Sequence, residues 1–283
     1  MKIGIVILSH KHSDWISKLL SSLENQQVKN PICIVDNSEE TNEIEKLQEI
    51  ISQTSQQTEL VIAKNQGYFL GNLAGIEKLK EKYGVTHCLI LNPDVSSDNW
   101  QHIIDTLSSY FLKDNQCFIA GPKITIPGFR IVSSPIIPFK LWREIAYNVF
   151  FPLSNPILKS YHTKLSHKTG KVFAVEGSVF LIDSQKTIET KDFFKNIFLY
   201  GEETIFGKIA ETKGWHIYFD NSVEVLHHHP PGETSPMYDK YLPLSYVEIA
   251  KKFYSSKFAI KLFETSIKHR FRIRRFLTKI MAN

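Results

Sequence analysis

Residues 87–95 read HCLILNPDV, an apolar run of strand length that stops abruptly at an amide, a proline and a carboxylate. A continuous apolar run without polar alternation predicts a strand buried on both faces, as in a parallel sheet. Four more runs share the pattern: IGIVIL at 3–8, PICIVD at 31–36, ELVIA at 59–63 and CFIAG at 117–121. Helical patterns fill the gaps. Trp15, Leu19 and Leu23 recur at spacing four behind Ser13 and Asp14 as cap candidates. Leu73, Ile76, Leu79 and Tyr83 close on Gly84, a residue suited to the left-handed position after a helix. Alternating strands and helices predict an α/β fold: a Rossmann-like, doubly wound, mostly parallel sheet flanked by helices.

In such sheets ligands bind beyond the carboxyl ends of the strands. The polar residues there are Ser9 and His10, Asp36 and Asn37, Asn65 and Gly67, and Asn92 and Asp94. Asn92 and Asp94 flank Pro93, whose fixed φ lets both face one hard cation that already carries phosphate oxygens. A simple turn uses the same three residue types. Asp36 ends the second strand, where an acid suits a ribose hydroxyl or a base imide, and where an Asx-turn is the plainer use.

The segment KNQGYFLGNLAGI (64–76) places Gly67, Gly71 and Gly75 between the third strand and a helix. Gly67 and Gly71 permit close backbone approach to a ligand, and a helix start near Gly71 and Asn72 would offer N–H groups to a phosphate. Close packing is the other use of such glycines. In FLYGEETIF, Glu202 and Glu203 fall at an expected helix start, where the dipole alone favours acids. A general base at either position must share a pocket with Asp94. HHHPPG adds His227 to His229, any of which is a candidate imidazole ligand or a plain loop residue.

The 283 residues, 42% apolar, suffice for a sizeable core. Cys33, Cys88 and Cys117 are an odd set inside apolar runs, which argues against disulfides or zinc and for a reducing, cytoplasmic setting. The first residues lack a leader pattern, and no segment offers the roughly 18 uncharged apolar residues of a membrane span. Residues 130–170, rich in prolines and aromatics, read as an irregular insertion. KVFAVEGSVFLID reads as one strand, and WHIYFD as the last one. The net charge of +5 concentrates after Lys251. On a helical wheel Lys257, Lys261, Lys268, Arg272, Arg275 and Lys279 form one face, and Ile260, Phe263, Ile267 and Phe271 another, interrupted by Arg270 and Arg274. A basic amphipathic helix of this kind suits an anionic membrane surface.

Taken in order, these motifs resemble the inverting family 2 glycosyltransferases with the GT-A fold, especially the bacterial rhamnosyltransferase-like branch that builds surface polysaccharides. The resemblance covers roughly residues 3–235. The family's strand-two acid and amide match Asp36 and Asn37, which implies contacts to the nucleobase and ribose. Its Asn-x-Gly-Phe-x-x-Gly-Asn-x-Gly loop is similar to NQGYFLGNLAG, matching Asn65, Gly67, Gly71 and Asn72. Its metal-binding motif, often NPD in this branch, matches Asn92 to Asp94, and its FLYxED motif matches FLYGEE, which implies Glu203 as base and Glu202 beside it. Its closing His-x-x-Gly matches His229 and Gly232, which implies His229 as a metal ligand. The sequence departs from the family at His10, where Asn is usual, at Ile205 and Ile209, where Asp and Arg are usual, and at the base, where Asp is commoner than Glu.

The resemblance implies a metal-assisted enzyme that binds a dTDP- or UDP-sugar through Ser9, Asp36, Asn37, Asn65, Gly67, Gly71, Asn72, Asn92 and Asp94. Mg²⁺ or Mn²⁺ would sit on Asp94, Asn92 and His229. Its acceptor would be a glycan or lipid-linked glycan, contacted through residues 130–170, and no nucleic acid is implied. Residues 1–235 would form the catalytic domain and 236–283 a basic helical extension, peripheral on the inner face of the membrane. A nucleotidyltransferase is the first alternative, although SHKHSDW lacks the glycine-rich loop that chemistry needs after strand one. A non-catalytic nucleotide-sugar-binding homologue is the second.

Overall fold

The computed structural model describes residues 1–127, 135–156, 160, 167–228 and 236–281. The first half follows the expected alternation: β1 (Ile3–Ser9), α1 (Ser13–Asn25), β2 (Ile32–Asp36), α2 (Thr41–Gln53), β3 (Thr58–Ile62), α3 (Tyr68–Tyr83) and β4 (His87–Leu91). These strands pair in parallel in the order β3, β2, β1, β4. Gly84 closes α3 at φ 63°, as its position suggested. The N-terminus of α1 is capped differently from expectation. Glu43 of α2, itself buried, accepts from both the N–H and the hydroxyl of Ser13.

Past β4 the order becomes β5 (Val95–Ser96), α4 (Trp100–Lys113), β6 (Cys117–Thr125), α5 (Leu141–Val149), β7 (Gly170–Val172), β8 (Val179–Asp183), α6 (Ser184–Glu189), α7 (Glu202–Lys213), β9 (His216–His227), α8 (Pro236–Phe253) and α9 (Lys257–Met281). The sheet continues β4, β8, β6, β9, β5, with β7 on β9. Here pairing is mixed, because β8 runs antiparallel between β4 and β6, and β5 and β7 run antiparallel to β9. The expected mostly parallel sheet is thus a mixed one, parallel from β3 to β4 and between β6 and β9, and antiparallel at β8, β5 and β7. Along β6 and β9 the parallel register shifts twice, between Cys117 and Ile119 and between Pro122 and Lys123.

Successive strand residues serve opposite faces. Ile5, Ile7, Leu89 and Leu91 pack with α1, α2 and α4, while Val6, Cys88 and Ile90 pack with α3, α7 and the C-terminal helices. All three cysteines are buried and free.

The expected irregular insertion contains an ordered helix, α5, laid against α9. Asn148 Nδ2 donates to Ser266 Oγ at 3.3 Å, and the Arg270 guanidinium stacks over Tyr147 at 4.5 Å. Phe263, Ile267 and Phe271 of α9 are buried in the main core. The apolar stripe expected to meet a membrane is thus filled by protein, since the sheet face it covers would otherwise be wet. The two arginines that interrupt it have partners inside: Arg270 on Tyr147 and Arg274 on Asp239 at 2.9 Å. Among the described residues, no helix is long and apolar enough to cross a membrane.

Candidate active site

β4 delivers its polar end to the middle of the sheet. The Asn92 N–H donates to the Ser178 carbonyl at 2.8 Å, and its Oδ1 lies 3.2 Å from the Tyr68 hydroxyl. That hydroxyl also reaches the Gly177 carbonyl at 2.5 Å. Two residues on, the Asp94 carbonyl accepts from the His228 N–H. This backbone contact, extended by pairing of β5 with the end of β9, brings Asp94 Oδ1 to 3.3 Å from His227 Nε2. Burial disfavours charge on both groups, yet their mutual hydrogen bond and attraction prevail, holding the carboxyl below its ordinary range and the imidazole above.

The segment expected as one strand, KVFAVEGSVFLID, is broken in two. Residues 173–178 turn between β7 and β8, and Glu176 occupies the turn. One of its oxygens accepts from the Ser178 N–H at 2.8 Å and from the Ser178 hydroxyl, and the other lies 3.8 Å from His227 Nδ1. The imidazole stands between two carboxylates.

Glu202 and Glu203 open α7 behind Gly201, at φ 94°, as expected. Glu203 lies beside the same turn: a Cβ added at Gly177 would stand 2.7 Å from Glu203 Oε1. Burial pushes both carboxyls up, helped by their mutual repulsion at Glu202 and by the Glu176 charge at Glu203. Ile205 and Ile209 are fully buried on the inner side of α7 and belong to the core.

The second group of expected residues gathers at the ends of β1 and β2. Asn37 donates its N–H to the Ser9 carbonyl and its Nδ2 to Asn65 Oδ1, which also caps the Gly67 N–H. Asp36 is closed by Ser38, whose N–H and hydroxyl bond its two oxygens, the Asx-turn geometry. Seven buried side-chain polar atoms have no hydrogen-bond partner among the described residues, and four belong to expected site residues: Ser9 Oγ, Asn37 Oδ1, Asn72 Oδ1 and Glu202 Oε1. Orphan atoms of this kind cost about 1–3 kcal/mol each, so their concentration here is consistent with a polar ligand beyond the strand ends.

Two expectations change, and a third falls outside the described residues. α3 begins at Tyr68, a turn earlier than expected, so Gly71 and Asn72 lie inside the helix and the Gly71 N–H is bonded to the Gly67 carbonyl. Gly67 makes this possible by taking φ 97° where the chain crosses Phe198: an added Cβ would fall on the Phe198 carbonyl oxygen. Gly71 serves packing, since a Cβ there would meet the end of the Leu8 side chain at 2.5 Å and push it aside. His229 and Gly232 lie outside the described residues, and it is His227 that faces Asp94. The sequence reading also passed over Glu176 and Tyr68, as well as Trp15, which stacks on His228.

Asp94 and His227 offer a carboxylate and an imidazole, a donor pair that suits a cation such as Mn²⁺. No group of three or more His, Cys, Asp or Glu able to hold a metal occurs among the described residues. A bound cation would therefore need oxygens from its ligand.

No protein-family profile matches the chain, and neither does any curated protein. Solved structures do. Over 95% of its length the chain is similar to GalNAc-T7 in its crystal structure with UDP, GalNAc and Mn²⁺, at 14% identity and TM-score 0.59. It spans 55% of that longer chain. TarS 1–349 of S. aureus, solved with UDP-GlcNAc, superposes over 95% of this chain and 72% of its own, at 13% identity and TM-score 0.52. A mycobacterial protein superposes over 89% and 74%, at 10% identity and TM-score 0.52. At these identities the likeness defines the fold: the chain has the α/β GT-A fold with a helical C-terminal part.

Proposed function

We propose that the protein is an inverting glycosyltransferase that moves a sugar from a UDP- or dTDP-sugar to a hydroxyl of a glycan or lipid-linked acceptor in bacterial surface polysaccharide synthesis. One observation carries this reading: the turn at 176–178 brings Glu203 and the Asp94–His227 pair to one place at the strand ends of a GT-A sheet. The UDP and UDP-GlcNAc of the two similar structures support a nucleotide-sugar donor.

The donor would lie along the strand ends, its nucleoside near Ser9, Asp36, Asn37 and Asn65 and its diphosphate near Asp94. Mg²⁺ or Mn²⁺ held by Asp94 and His227 would supply charge to offset that growing on the leaving diphosphate. Glu203 takes the proton of the acceptor hydroxyl as its oxygen bonds the anomeric carbon from the opposite face. The bond from that carbon to the diphosphate breaks, and the diphosphate leaves with the electron pair. A base with a raised pKa suits this task, because it holds the proton it gains near neutral pH. Glu202, more deeply buried, orients the acceptor or remains protonated as part of the helix start.

A panel of nucleotide sugars with and without Mn²⁺, read by binding and by donor hydrolysis, tests the reading. Binding of one uridine or thymidine diphosphate sugar with slow hydrolysis supports it; a chain that binds none of them rules it out.

Membrane contact at an inner face belongs to the same proposal, on a different side of α9 from the one the sequence suggested. Phe258, Leu262, Phe276 and Ile280 are exposed beside the exposed basic row of Lys257, Lys261, Lys268, Arg272, Arg275 and Lys279. Neighbouring α5 exposes Trp142 and Val149, and the turn after it exposes Phe150 and Leu153. Cationic and aromatic side chains in this mixture complement an anionic lipid surface.

A further inference from the structure

Arg270 of α9 carries a charge that no acid answers among the described residues. Its guanidinium is stacked by rings of the α5 segment, 4.5 Å from the centre of Tyr147 and 5.4 Å from that of Phe151. Other half-buried arginines of these helices are neutralised: Arg143 meets Glu144 at 2.6 Å, and Arg274 meets Asp239 at 2.9 Å. Arg270 has only Asn148 Oδ1, 3.5 Å from Nη1, and its Nε is enclosed with no acceptor. A guanidinium offers five donors and stays charged. Aromatic faces attract that charge but do not accept its N–H groups as an oxyanion does. Withdrawing such donors from water unpaired is costly, so an anion from outside would complete the site.

The surroundings say which anion. Phe151 is flanked in the chain by Phe150 and Leu153, both exposed. An unpaired guanidinium beside exposed apolar side chains suits a phosphate that carries a hydrocarbon chain. Toward the candidate active site, Tyr238 bridges the gap. It meets Phe271 at 6.0 Å and Arg274 at 4.9 Å, and Tyr200, next to Gly201 and Glu202, at 5.3 Å. We propose that Arg270 binds the phosphate of a lipid-linked acceptor, holding the lipid end against α5 while the sugar end reaches toward Glu203. The proposal rests on the glycosyltransferase reading above and narrows its acceptor to a lipid phosphate. The exposed basic row of α9 is open to water and serves bulk anionic lipid, whereas Arg270 is recessed among rings.

The plainer reading is that Arg270 only clamps α5 to α9 by stacking. Binding of farnesyl phosphate and of farnesol, in detergent micelles, to the full chain separates the two, with UDP and Mn²⁺ present in excess to fill the donor site. Wild type should hold the phosphate at least about tenfold more tightly than the alcohol, and Arg270→Gln should weaken the phosphate about 10- to 100-fold. UDP affinity and binding to phosphatidylglycerol vesicles should stay at wild-type values. Equal affinity for phosphate and alcohol, or an unchanged farnesyl phosphate Kd in the variant, overturns the inference. An equal loss on the vesicles makes Arg270 a general headgroup contact and overturns the acceptor assignment. Wild-type protein that binds UDP but no farnesyl phosphate ends the inference and leaves the glycosyltransferase reading standing. Failure to bind any of the nucleotide sugars removes that reading and the inference with it. Should Arg270→Gln fail to fold, the wild-type comparison of phosphate with alcohol decides alone.

Discussion

Asp94 and His227 meet at 3.3 Å, although one lies in the turn after the fourth strand and the other ends the last strand of the sheet. Each alone is a weak candidate; together they are where the proposed cation would sit. Replacing either by Ala should weaken Mn²⁺-dependent donor binding by at least about tenfold, measured by titration with UDP present. His228→Ala, whose ring instead reaches Ser96 at 2.7 Å and stacks on Trp15, should change it far less. Equal losses at 227 and 228 would contradict the assignment.

Glu203→Gln removes the proposed base without altering its shape. Turnover should drop by about two to four orders of magnitude, with donor affinity preserved in a binding assay. Retained turnover would take Glu203 out of the role.

The raised Glu203 carboxyl gives two pH dependences of opposite benefit. Burial, aided by the Glu176 charge, lifts it from 4.5 to about 7, and the base works only when ionised. Turnover should therefore climb about tenfold per pH unit up to about 7 and then level off. Stability goes the other way. Between the unfolded and folded pKa the folded state binds more protons, so stability falls as pH rises from about 4.5 to about 7. Glu203→Gln should match wild type at pH 4 and exceed it at pH 8 by roughly 1–3 kcal/mol, read by urea denaturation.

Gly67→Ala tests the crossing at Phe198. The added methyl meets a backbone oxygen and the φ of 97° is strained for any L side chain, so the loss should exceed about 1 kcal/mol. A neutral substitution would mean the crossing relaxes freely.

Reversing Arg272, Arg275 and Lys279 to Glu should abolish binding to vesicles containing phosphatidylglycerol. Binding by wild type should weaken as salt rises. Activity on a soluble acceptor should be unaffected, and wild-type protein that ignores such vesicles would end the membrane reading.

Four of the five apolar runs were legible because burial on both faces leaves a continuous apolar signature; the fifth, β3, is a half-buried edge strand that was legible from its β-branched residues alone. Strand direction was not, since VFLID carries the same signature whichever way it runs, and only the structure shows β8 lying antiparallel. Glu176 was hidden inside a segment that looked like one strand. Its clue was present: an acid followed by Gly177 inside an apolar run marks a break or bulge. Asp94 and Glu203 were singled out through motif order, and His227 was passed over for the same reason, because the motif favoured His229, which lies outside the described residues.

The β9 strand offers a counting rule for such ambiguous histidines. Val223, Val225 and His227 point inward, while Glu224 and Leu226 face solvent. Side chains alternate with a period of two, so a single-residue slip exchanges every face. The two register shifts against β6 thus act as a vernier. An insertion or deletion of one residue between Asp220 and His227 would leave the apolar content of the strand intact while presenting Leu226 or His228 to Asp94, a change of chemistry made by strand length alone.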